Sequence, residues 1–177
     1  MNNHKENTHL SNKEYEIYFE KGVSYDQYIR NITHEIESKT ESKENCNIPL
    51  NLIRSRRIAK TFNILEELKN VMSLIDEKIY WLVLSEHWCG DSSQIVPALN
   101  EIVKASEGKI ELKIVYRDEN PELMNAHLTN GSESIPKLIQ LDECFNVTGE
   151  FRPRPENSQK LVMELRSDPA TEKKYNE

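Results

Sequence analysis

The chain is short of the residues that mark several common functions. Its 177 residues contain five glycines, and none falls in a G-x-G-x-x-G or P-loop pattern, so neither device for cradling nucleotide phosphates is present. Cysteine is scarce. Cys46, Cys89 and Cys144 are odd in number and widely spaced, with no C-x-x-C pair, which disfavours a disulfide-stapled secreted fold and removes both a zinc knuckle and a local dithiol centre. No apolar run approaches the ~20 residues that span a bilayer, and the opening MNNHKENTHLSNKEYE lacks the apolar core of a secretory signal. The chain therefore reads as cytoplasmic, without a membrane partner. Positive charge is also in deficit, since 23 Lys and Arg against 30 Asp and Glu give a net charge of −7. Such a surface repels phosphate backbones and argues against nucleic acid as a partner. The basic cluster Arg54-Ser55-Arg56-Arg57 is short and reads as the solvated start of a helix.

Apolar side chains make up 37% of the chain, enough for one buried core and too little for a second independent domain. Residues 1 to about 12 read as disordered. Tyr15, Tyr18 and Phe19, then Tyr25, Tyr28, Ile29 and Ile32, recur at helical spacing, with Ser24 placed as an N-cap near Gly22; this predicts two short helices or one broken at Gly22. Residues 38–47 carry almost no apolar side chain and read as a mobile linker holding Cys46. From Ser55 to Asp76 the positions Ile58, Phe62, Leu65, Leu68, Val71, Met72 and Ile75 form one stripe, which predicts a single long helix.

Ile79 to Leu84 lacks polar alternation and suits a central strand covered on both faces, whereas Ile110 to Tyr116 begins with alternation and suits a less buried one. A helix from Ser93 to Ser106 lies between them and contains Pro97, which should kink it. A short helix follows at Pro121 to His127. Ser134-Ile135-Pro136 then leads into a strand from Lys137 to Leu141, a hairpin through Asp142-Glu143 that returns as Cys144 to Thr148, and a closing helix from Glu156 to Arg166. The order from residue 79 is β-α-β-α-β-β-α.

The chemistry concentrates where the first strand gives way to a helix, at Trp88-Cys89-Gly90-Asp91-Ser92. Unpaired N–H groups and the positive end of a helix dipole stabilise an anion there, and the thiolate is the reactive form of cysteine. Cys89 is thus the candidate nucleophile, with helix-terminal amides and the Ser92 hydroxyl stabilising its thiolate and the Asp91 carboxylate opposing it. His87 is a candidate proton carrier, although residues i and i+2 of an extended segment share a face only loosely. His87 with Cys89 cannot make a zinc site, because nothing nearby supplies further ligands.

Trp88, Cys89, Gly90 and Pro97, with Ile135-Pro136 downstream, resemble the thioredoxin family, whose second active-site cysteine is Ser92 here. The resemblance implies an α/β thioredoxin fold, a central mixed sheet flanked by helices, over residues 51–167. A helical extension and linker at 1–50 precede it, and a polar tail at 168–177 follows. It also implies a cis Pro136 beside the thiol, leaving the Ile135 backbone free to pair with an extended substrate, and a substrate groove formed by Trp88, Gly90, Asp91, Ile135 and Pro136. Arg152-Pro153-Arg154-Pro155 is similar to an element of a bacterial branch of thioredoxin-like proteins. The run Cys89-Gly90-Asp91-Ser92 also resembles the C-G-F-S motif of monothiol glutaredoxins, but the Gly-Gly pair expected after Pro136 is replaced by LIQLDECFNV, and no cofactor is expected.

A serine hydroxyl cannot displace a thiolate from sulfur. The expected activity is therefore thiol-disulfide exchange through one thiolate, with a protein or small-molecule thiol or disulfide as substrate and an external thiol as reductant. The alternative is a thioredoxin-fold module that binds a peptide in the same groove without redox turnover. Cys144, in the hairpin, is a poor resolving thiol, whereas a mobile linker could carry Cys46 to Cys89.

Overall fold

The computed structural model describes residues 10–38 and 47–153. The expectations for residues 1–9, for the linker with Cys46, for the closing helix and for the polar tail fall outside these residues.

Four strands, β1 (Ile79–Ser85), β2 (Ile110–Tyr116), β3 (Lys137–Leu141) and β4 (Val147–Phe151), form one mixed sheet in the order β2-β1-β3-β4. β1 runs parallel to β2 and antiparallel to β3, and β4 pairs antiparallel with β3. Successive side chains of a strand point to opposite faces, and β1 divides its residues accordingly. Leu82 and Leu84 face one core, with Val115, Ile139 and Leu141 from the other strands. Val83 faces the second, with Leu112, Ile114 and Leu138. All three β1 residues are fully buried, so truncating any one to alanine should cost about 2–5 kcal/mol.

Among the described residues, five helices cover the sheet and a sixth precedes it. α1 (Asn12–Lys21) and α6 (Pro121–Ala126) lie on the first face through Tyr15, Phe19, Leu123 and Met124, while α2 (Tyr25–Glu37), α3 (Ile48–Thr61) and α5 (Ser92–Ala105) lie on the second through Tyr28, Ile32, Ile48, Leu52, Val96 and Leu99. α4 (Glu66–Ser73) leads toward β1. This is the mixed sheet flanked by helices that the sequence predicts.

The N-terminal helices are two, as one of the two readings held. The Ser24 hydroxyl accepts the Gln27 N–H and starts α2. Val23, between the helices, bridges Ile114 of β2 through two backbone hydrogen bonds. Gly22 makes that approach possible, because a Cβ there would sit 2.7 Å from Lys113 Cβ. α1 and α2 therefore pack into the same two cores as the sheet.

The predicted long helix over 55–76 is instead two. α3 begins earlier, at Ile48, and ends at Thr61, and residues 62–65 are non-helical before α4. The Thr61 hydroxyl bonds back to the Arg57 carbonyl, a competing pattern that weakens helices, and much of the expected stripe is not buried: Leu65 and Val71 are exposed, and Met72 alone is in the core. The hairpin return is also later than expected. The Asp142 carboxylate accepts the N–H groups of Cys144 and Asn146, with Phe145 at positive φ, so Cys144 lies exposed in the turn and β4 starts at Val147.

Candidate active site

β1 ends at Ser85 and α5 begins at Ser92, so Glu86 to Asp91 form the connection. The Cys89 N–H bonds to the Glu86 carbonyl, and the Cys89 carbonyl accepts the Ser93 N–H, which fixes Cys89 just before the first turn of α5. Its sulfur is buried between two backbone groups. The Ser92 N–H donates to Sγ at 3.4 Å, and Sγ donates to the Ile135 carbonyl, also at 3.4 Å. The Ile135–Pro136 peptide bond is cis. The donor from Ser92 is thus its amide, one of the helix-terminal amides expected, and not the hydroxyl expected beside it. The Ser92 Oγ is buried without a hydrogen-bond partner among the described residues.

Trp88 is half-buried and packs against both cores. Its ring carries the Arg117 guanidinium at 4.8 Å, and Arg117 pairs with Asp118 at 2.6 Å and donates to the Glu133 carbonyl. A cation thus ties Trp88 to the segment that leads into Pro136. Beneath it lies Glu86, which the sequence reading passed over. One carboxylate oxygen accepts the Asp118 N–H at 2.9 Å, and burial pushes its acid up to about 7 despite that bond.

His87 is not aimed at the sulfur. Nδ1 donates to Glu35 Oε2 at 2.6 Å, and Nε2 lies 3.1 Å from the Tyr116 hydroxyl, which also accepts from Asn31. Burial lowers its pKa against the opposing pull of Glu35, which favours the neutral ring with Nε2 as an acceptor. Both nitrogens are committed, Nδ1 to α2 and Nε2 to Tyr116 of β2, which takes a hydrogen bond from Asn31 of α2.

α3 is locked to the same connection by two polar side chains one turn apart. Pro97 has no N–H, so the Ser93 carbonyl four residues earlier loses its helical donor; the Ser55 hydroxyl of α3 supplies the replacement at 3.3 Å. Asn51, almost fully buried, donates to the His87 carbonyl and accepts from Arg54. Arg54, Trp88, Cys89, Gly90, Asp91 and Gln94 line a cavity of about 450 Å³. Four of the predicted site residues share it, and Ile135 and Pro136 reach the thiol from the other side.

A second buried polar group follows Pro136 directly. Lys137 Nζ lies 2.5 Å from Glu150 Oε2, His127 Nδ1 donates to Glu150 Oε1 at 2.6 Å, and His127 Nε2 meets the Tyr15 hydroxyl at 2.8 Å. The His127 hydrogen bond, with help from Lys137, holds the Glu150 acid down at about 2, while burial pushes the Tyr15 phenol up to about 12. No three metal-ligating side chains gather among the described residues, and no described helix is long and apolar enough to cross a membrane.

Residues 31–168 match the family model described as thioredoxin, and the chain belongs to the thioredoxin family. Thioredoxin 1 of Nostoc sp. (strain PCC 7120 / SAG 25.82 / UTEX 2576) is 38% identical over 52 residues, 29% of this chain and 46% of that protein. The chain thus spans about half the length of this curated relative. Among solved structures, an HIV epitope-scaffold superposes with a TM-score of 0.62 at 22% identity, covering 82% of this chain and 80% of that one. A protein of unknown function from Pseudomonas aeruginosa gives 0.58 at 21% identity, covering 83% and 84%. Both likenesses concern the fold.

Proposed function

We propose that this protein is a thiol-disulfide oxidoreductase that works through the single thiolate of Cys89. One observation carries the reading: Sγ sits between the Ser92 N–H at the start of α5 and the Ile135–Pro136 loop, 3.4 Å from a hydrogen-bonding group on each side. The amide supports negative charge on sulfur. In the resting thiol the proton points to the Ile135 carbonyl, and its loss frees that carbonyl for a substrate N–H.

The thiolate attacks one sulfur of a bound disulfide, the S–S bond breaks, and its electron pair leaves with the departing thiolate. Cys89 is left in a mixed disulfide. Ser92 offers no sulfur, so a thiolate from an external thiol attacks the substrate sulfur, releases the Cys89 thiolate and carries the substrate away as a new disulfide. Trp88, Gly90 and Asp91 form one wall of the substrate groove, and Ile135 and Pro136 the other. The substrates are protein or small-molecule disulfides.

Replacing Cys89 by Ser tests the reading. Thiol transfer to a small disulfide should vanish while the fold persists. Transfer that survives in Cys89→Ser contradicts the proposal, and retained peptide capture by a chain without transfer in either form points to a binding module.

A further inference from the structure

Among the described residues the cavity beside the thiol contains one cation, and on the thiol-disulfide reading just given we infer that Arg54 selects a small disulfide carrying a carboxylate next to the sulfur that Cys89 attacks. Of the three arginines clustered at 54–57, Arg54 alone lines the cavity with Cys89. Arg56 lines a separate cavity with Tyr25, Ile29 and Lys60. The Arg54 Nη1 lies 3.5 Å from the place a Cβ would take on Gly90, one residue from the nucleophile.

Its position is built. Asn51 Oδ1 accepts from Arg54 Nη1 at 3.2 Å while the Asn51 amide holds the His87 carbonyl at 3.1 Å. On the next residue, the Ser55 hydroxyl is tied to the Ser93 carbonyl that Pro97 leaves without a donor. A single chain of bonds thus runs from the thiol's own connection and helix to the guanidinium.

Arg54 also differs from Arg117 in its ion pairing among the described residues. Arg117 is paired with Asp118 at 2.6 Å; among the described residues no carboxylate lies within ion-pair distance of Arg54. One of five guanidinium donors is spent on a neutral amide, which leaves a planar fork suited to a carboxylate. Asp91 lines the same cavity and has its own interaction within the protein. Its charge tempers the preference, so the expected selectivity is several-fold rather than a hundredfold. The cavity, at about 450 Å³, lies in the range that holds small ligands.

The chemistry is unchanged. The Cys89 thiolate forms a disulfide with one half of the carboxylated substrate, and the other half leaves as a carboxylated thiolate. An external thiol then takes the bound half as a mixed disulfide and restores Cys89.

The test uses the full chain with Cys46→Ser and Cys144→Ser, and intact mass to follow mixed-disulfide formation at low ionic strength. The probes are 3,3′-dithiodipropionate (anionic), 2-hydroxyethyl disulfide (neutral) and cystamine (cationic). The anionic probe should react faster than the neutral one by about fivefold, a ratio that falls with added salt. Arg54→Ala should reduce the ratio to that of the free thiol cysteine, Arg54→Lys should keep part of it, and Arg54→Glu should favour cystamine. An unchanged ratio in Arg54→Ala overturns the inference. A parallel titration of Cys89→Ser with 3,3′-thiodipropionate, a thioether that cannot exchange, reads recognition alone through the Gly90 and Gln94 amide signals. Should none of the disulfides modify Cys89, the thiol reading fails, and the titration still decides Arg54: shifts that disappear in Arg54→Ala uphold its role, and shifts that persist refute it.

Discussion

Two buried polar groups flank Pro136, and they are finished to different degrees. On the far side, Lys137, Glu150, His127 and Tyr15 close a network in which each charged or polar side chain meets another at 2.5–2.8 Å. On the thiol side, Cys89 makes two hydrogen bonds at 3.4 Å, an ordinary length for sulfur, the Ser92 hydroxyl has no partner among the described residues, and Glu86 is buried with its acid raised to about 7. A buried polar group costs free energy unless its bonds are made. The first group holds α1, α6, β3 and β4 together; the second keeps unused bonding capacity beside the thiol, which the proposed function assigns to the reaction. The difference separates what fastens the fold from what operates in it.

Substitutions should respect that division. The largest effect is expected from Lys137→Met, which leaves Glu150 facing an apolar group. A loss of about 2–4 kcal/mol in chemical denaturation is expected, below the cost of a fully enclosed pair because Glu150 is more than a third exposed. A change under about 0.5 kcal/mol would remove the network from the account of stability.

Acid should attack the same network next. Glu150 has a folded pKa of about 2 against an ordinary 4.5, so its ionisation supports the fold fully above about pH 4.5, and the support is lost as pH falls through 2. Screened by solvent, it should amount to about 1–2 kcal/mol. Glu150→Gln should show a smaller decline across that window in a pH series of denaturation midpoints. An equal decline in both proteins would assign the acid sensitivity to other groups.

On the thiol side the sign reverses. The Glu86 acid is raised, so the folded chain holds its proton more tightly than the unfolded one; stability is greatest below about pH 4.5 and declines as pH rises through 7. Glu86→Gln keeps an acceptor for the Asp118 N–H and removes the charge. It should stabilise by about 1 kcal/mol near pH 8 and by almost nothing near pH 5. A stabilisation that does not change with pH would show that ionisation is not its source. Smallest of all is Ser92→Ala, which deletes a hydroxyl that bonds to nothing and should leave stability unchanged or raise it by up to about 1 kcal/mol. A clear loss in calorimetry would mean that this hydroxyl has a partner after all.

The placement of Cys89 was legible because the unbroken apolar run of β1 gives way there to the helix expected over Ser93 to Ser106. The order of elements from β1 to β4 followed from the same patterns. The long helix over 55–76 was misread because periodicity reports a stripe without reporting what covers it; Thr61 ends the helix and Leu65 faces solvent. The surroundings of the site were not legible. Glu35 meets His87 across 52 residues of chain, Asn51 meets His87 across 36, and Tyr15 meets His127 across 112. No local spacing encodes such contacts. Arg54 was visible only as part of a short basic run, and what distinguishes it from Arg56 is the face of α3 it occupies.

The central claim is that one sulfur carries the reaction and an outside thiol completes it. The most direct measurement is a rapid-quench mass analysis of the full chain with Cys46→Ser and Cys144→Ser, mixed first with 2-hydroxyethyl disulfide and then with cysteamine. The account predicts a one-to-one adduct on Cys89 whose decay rate rises in proportion to cysteamine, and in Ser92→Cys a decay that no longer depends on it. A Cys89 that takes up no adduct, or an adduct on the Ser92 protein that clears at a rate independent of cysteamine, would contradict it.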